Sequence, residues 1–61
     1  MDGEDSLVEK AKEALKQSVW LEAREALEAL SKKYSDNSSY SLALEKTDNL
    51  EFEKALEILE Q

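Results

Sequence analysis

A chain of 61 residues with a net charge of −7, no cysteine and no histidine is one small domain that lacks the usual staples, a disulfide framework or a Cys/His zinc site. The missing imidazoles and thiols also remove Ser-His and Cys-His chemistry, and the acidic balance, with basic residues scattered among glutamates, sets the chain against nucleic-acid phosphates and anionic lipid. Apolar runs such as Val19-Trp20-Leu21 are far shorter than the ~20 residues that span a bilayer, and the acidic start Met1-Asp2-Gly3-Glu4-Asp5 is the reverse of a basic targeting peptide, so a soluble protein is expected, cytoplasmic because the absence of cysteine suits a reducing compartment.

With no proline and Gly3 as the sole glycine, residues 4–61 hold neither strong chain-breaker. Their abundance of Ala, Leu, Glu and Lys favours helix. Residues 1–5 read as an acidic tail. Ser6-Leu7-Val8-Glu9 reads as a capping box, which predicts a first helix starting there with Leu7, Val8, Ala11, Ala14 and Leu15 on one face. Gln17-Ser18 offers a break, with Ser18 as the next N-cap. Trp20, Ala23, Leu27, Leu30 and Tyr34 then recur by threes and fours, predicting the longest helix, on which Glu28 and Lys32 are spaced as an ion pair. On that stripe Trp20 is expected to pack in the core or at the hairpin interface.

Ser35-Asp36-Asn37-Ser38-Ser39 is the clear loop. Tyr40, Ala43 and Leu44 predict a short third helix of about two turns, ending near Lys46. Thr47-Asp48-Asn49 interrupts it, and Asp48 with Glu51 resembles a second capping box. The last helix carries Phe52, Ala55, Leu56 and Leu59 on one stripe, with Leu50 and Ile58 beside it. Glu60-Gln61 supplies neither a glycine cap nor a cation, which reads as a cut end rather than a natural stop. The expected organisation is a single all-α domain: a first helical hairpin over 6–34, a loop over 35–39 and a second hairpin over 40–61.

The hairpins share a pattern. An offset of 32 residues pairs Ser6 with Ser38, Ala11 with Ala43, Glu13 with Glu45, Trp20 with Phe52, Ala23 with Ala55, Glu25 with Glu57 and Leu27 with Leu59. The break at Gln17-Ser18 falls on Asn49-Leu50. This order resembles the tetratricopeptide repeat, a helix-turn-helix unit of about 34 residues; the other architecture expected of such a pattern is a plain three- or four-helix bundle. Leu42 and Ala43 match the repeat's large and small positions in its first helix, and Phe52, Ala55 and Leu59 the aromatic, alanine and bulky positions of its second. Ala11, Trp20, Ala23 and Leu27 fill the corresponding places in the earlier unit. Lys10 stands where the family has leucine, Ser39 and Lys46 where it has aromatics, and Ser35 takes the place of the usual proline.

No cofactor or metal site is expected. Asp36-Asn37-Ser38 begins like a calcium loop but lacks its glycine and terminal glutamate, and glutamate pairs such as Glu22 with Glu25 or Glu53 with Glu57 read as solvated helix faces rather than a catalytic pair. The expected function is non-enzymatic protein–protein interaction. The tetratricopeptide likeness implies a groove lined by the first helix of each unit, which places Val8, Lys12, Tyr40 and Leu44 on the partner-binding face; by helical spacing Tyr34, Tyr40 and Phe52 read as core packing, Tyr40 being the first candidate among the four aromatics to face a ligand. Two repeats are fewer than a stable solenoid needs, so a self-associating helical module, or a piece of a longer array, is the alternative. An acidic inhibitor of a basic protein site is a further one.

Overall fold

The computed structural model describes residues 3–60, which form four α-helices and no strand: α1 (Gly3–Lys16), α2 (Trp20–Lys33), α3 (Ser38–Asp48) and α4 (Phe52–Glu60). Met1, Asp2 and Gln61, the ends of the expected tail and last helix, lie outside the described residues. Links of residues 17–19, 34–37 and 49–51 are short enough to make successive helices antiparallel neighbours. Each helix packs on the next, and α1 also packs on α4, so the four close into a ring with α1 and α3 on one diagonal.

The start of α1 differs from expectation. Gly3, Glu4 and Asp5 are helical, so Ser6 lies inside the helix and caps nothing. Two carboxylates in the first turn favour this earlier start by complementing the helix dipole, and Glu4 is further anchored by the Tyr40 hydroxyl, which donates to its Oε2 at 2.5 Å.

Both hairpin turns are built alike. Ser18 has φ 58° and Leu50 φ 63°, each the left-handed residue of a Schellman motif. Val19 N–H donates to Ala14 O at 2.8 Å and Ser18 N–H to Leu15 O at 3.1 Å; the second turn repeats this with Glu51 N–H on Lys46 O at 2.8 Å and Leu50 N–H on Thr47 O at 3.0 Å. These donor–acceptor pairs are related by the same offset of 32 residues, as are the helix ends Lys16 and Asp48 and the starts Trp20 and Phe52. Ser18 is therefore not the N-cap of α2; Val19 holds that place without a side-chain bond. Asp48 is the last residue of α3 rather than a cap of α4, and its Oδ1 accepts from Arg24 Nε at 3.1 Å, tying α3 to α2. Glu28 lies 3.8 Å from Arg24 Nη1 in place of the expected Lys32 pairing. At the α2–α3 link Asn37 caps α3, its side chain accepting from Ser39 N–H at 3.0 Å, so α3 starts before Tyr40 and runs past Lys46.

Each helix contributes one alanine with no exposed surface, Ala11, Ala23, Ala43 and Ala55, which form two pairs at the repeat offset. Small residues let helix axes approach closely, and Leu15, Leu27, Leu30 and Tyr40 complete the buried core around them. Thr47 takes the position equivalent to Leu15 and is fully buried; its hydroxyl donates to Ala43 O at 2.9 Å, which satisfies the polar atom there. Trp20 departs from expectation. It is 40% exposed at the first residue of α2, whereas Phe52 at the equivalent position of α4 is partly buried.

Candidate functional site

Burial is uneven around the ring. The helix α2 buries Ala23, Ala26, Leu27 and Leu30, whereas α4 buries only Ala55. Phe52, Leu56, Ile58 and Leu59 lie against the core but are only partly covered. Trp20 and Leu21 on α2, Leu42 on α3 and Leu50 in the second turn are the most exposed large apolar residues among those described, whereas the partly covered stripe of α4 borders α1, with a concavity at either end of that α1–α4 seam.

The larger concavity, about 640 Å³, lies where both hairpin turns meet the start of α4. Leu15, Leu50, Phe52 and Leu56 give it apolar walls, with Lys16, Glu51, Glu53 and Lys54 around them. Leu50 is 65% exposed and has a left-handed backbone, a conformation that costs a branched residue about 1 kcal/mol or more. Glu51 Oε1 accepts no hydrogen bond among the described residues, although it is buried; Lys46 Nζ lies 3.8 Å and Lys54 Nζ 4.0 Å from it.

The smaller concavity, about 300 Å³, lies at the opposite end, among the starts of α1 and α3 and the last turns of α4. Val8, Tyr40, Ile58 and Leu59 are its apolar residues, Glu4 and Asp5 its acidic ones, and none of the residues lining it is basic. Tyr40 is 7% exposed, and Tyr34 stands edge-on to it at 6.2 Å between ring centroids. Burial, with the Glu4 hydrogen bond and charge adding to it, pushes the Tyr40 phenol up to about 12. At neutral pH it is a fixed donor that orients the Glu4 carboxylate.

Of the four residues expected on the partner face, this concavity brings together Val8 and Tyr40. Tyr40 packs in the core, as its helical spacing predicts, and its buried ring and engaged hydroxyl do not leave it free to face a ligand. Lys12 lines neither concavity and sits 3.9 Å from Glu9, while Leu44 packs partly buried against the core. Sequence reasoning missed the contribution of α4 and the Leu50 turn. The apolar stripe of α4 was visible, but which helix would be left half-covered depends on how the ring closes.

Among the described residues, no group of three or more acidic, His or Cys side chains is placed to hold a metal ion, and no helix is long and apolar enough to cross a membrane. No protein-family model, no curated protein and no solved structure matches this chain.

Proposed function

We propose that this chain is a non-enzymatic protein-interaction module that holds a helix or peptide of a partner protein along the α1–α4 seam. The observation that carries the reading is the half-covered state of α4: four large apolar side chains lie partly open beside concavities sized for inserted side chains. Such incompletely covered apolar surface marks interaction sites in small proteins. Two of the four carboxylates there are engaged structurally, Glu4 by Tyr40 and Glu51 by two lysines, and Asp5 and Glu53 are exposed, which supports leaving catalysis out. The tetratricopeptide-like reading belongs to the proposal too, supported by the two hairpins whose turns, helix limits and buried alanines repeat at one offset. A cytoplasmic setting is proposed with it, in keeping with the cysteine-free composition.

Self-association through the same seam is the second reading. The open face of α4 favours it, and the charge of −7 on every copy opposes it. To test the main reading, peptides are selected from a random display library on the folded domain and the best binder is titrated into labelled protein by NMR. Amide shifts concentrated at Leu15, Leu50, Phe52, Leu56 and Leu59 support the seam. Shifts centred on the exposed face of α2, at Glu22 and Glu25, or a library that yields no binder, overturn it.

A further inference from the structure

We propose that the occupant of the seam is a basic amphipathic helix of another protein, aligned so that a lysine or arginine enters the concavity edged by Glu4 and Asp5. The inference rests on the seam being the binding face and adds the identity and polarity of what lies there. The two ends of the seam differ in chemistry. Around the hairpin turns Lys16 and Lys54 offset Glu51 and Glu53, so that end selects apolar anchors through Leu15, Phe52 and Leu56. At the other end only the acidic pair carries charge, above Val8, Ile58 and Leu59.

A long cationic side chain lays its methylene stem on apolar surface and keeps its charge at the rim, which is the arrangement that end offers. The Glu4 carboxylate is already positioned by the Tyr40 hydroxyl, itself braced by Tyr34, so less side-chain freedom is lost when a cation arrives. The phenol is a donor across the physiological range, since tyrosine ordinarily titrates near 10, and burial with the Glu4 contact raises Tyr40 further. A helix of about 14–18 residues, some 21–27 Å long, reaches from one concavity to the other in a molecule whose longest extent is 27 Å. A second copy is a poor occupant, because it would bring another −7 to an acidic surface.

The test uses three synthetic helical peptides of about 18 residues that share one leucine stripe and carry Lys, Gln or Glu at one end of the polar face. Binding to the whole chain is followed by fluorescence anisotropy at about 50 and about 300 mM salt. The Lys peptide is expected to bind about two- to fivefold tighter than the Gln peptide for each charge engaged, with the margin shrinking at high salt and the Glu peptide weakest. Asp5→Asn, confirmed folded by circular dichroism, removes about one such factor for the Lys peptide alone, while Glu25→Gln on the exposed face of α2 leaves it unchanged. Equal affinity for Lys and Gln peptides overturns the polarity but leaves the seam standing. Equal losses from Asp5→Asn and Glu25→Gln show diffuse attraction to an acidic protein and overturn it as well. If no peptide binds and the chain sediments as a dimer, the seam reading itself fails.

Discussion

Ala23→Leu puts an isobutyl group in place of a methyl at a position with no exposed surface, where α2 packs between α1 and α3. If the surroundings yielded freely, the added carbons would stabilise the fold by about 0.8 kcal/mol per buried methylene. Here the equivalent position of every helix is an equally buried alanine, so no flexible neighbour stands ready to move aside, and the cost of helix displacement wins. Overpacking of this kind costs about 1–3 kcal/mol. A chain of this length has about 3–9 kcal/mol in total by per-residue scaling, so the variant forfeits a large share. With a urea m-value of about 1 kcal/mol/M, the low end for small domains, the midpoint falls by about 1–3 M. Urea titration followed by helical circular dichroism reads this directly, with Glu22→Leu, the same side chain on the exposed face of α2, as a control expected within about 0.5 kcal/mol of the parent. A midpoint for Ala23→Leu that matches the control refutes the close helix approach.

Ser18→Gly is expected to stabilise by about 0.5–1 kcal/mol in the same assay, because Ser18 is exposed at φ 58° and glycine adopts that backbone without a Cβ clash; a lower midpoint would contradict the turn. Leu50→Gly relieves the same conformation but gives up an apolar wall of the larger concavity, so it gains less stability than Ser18→Gly and weakens binding of a seam-directed peptide, as isothermal calorimetry would show. Tyr40→Phe removes the bond to Glu4 and should cost about 0.5–1.5 kcal/mol at neutral pH. Its pH dependence has a definite sign: the folded phenol is pushed up to about 12 from the ordinary 10.0, so the folded state holds more protons between these values and its stability drops as pH rises through them. The parent should lose stability over that window more steeply than Tyr40→Phe, and parallel curves would show that the phenol is not held. Asp48→Asn weakens the exposed Arg24 pair between α2 and α3; a loss of about 0.2–1 kcal/mol that fades in high salt is expected, and a salt-independent loss would point elsewhere.

The helices were legible because their apolar residues recur at helical spacing and the breaks fall at the same offset in both units. What sequence could not show was tertiary. Ser18 and Leu50 end their helices in a conformation usually given to glycine, so the eye is drawn to Ser18 as a cap for the next helix instead. The capping box at Ser6 is a correct local pattern overridden by the Tyr40–Glu4 bond, which joins residues 36 apart in the sequence. Periodicity placed Trp20 on the core stripe but carries no information on how far the adjoining helices cover it. In the same way Val8 and Tyr40 were found together, whereas α4 entered the candidate site only through its packing beside α1, which no local pattern encodes.

The central claim is that four helices close around a self-sufficient core and leave the α1–α4 seam for a foreign partner. Sedimentation equilibrium over a wide concentration range, with helicity followed by circular dichroism on the same samples, tests it most directly. The account predicts a monomer that stays helical at high dilution. A dimer whose helical signal falls as it dissociates would contradict it, and would assign the open face of α4 to a second copy of the chain.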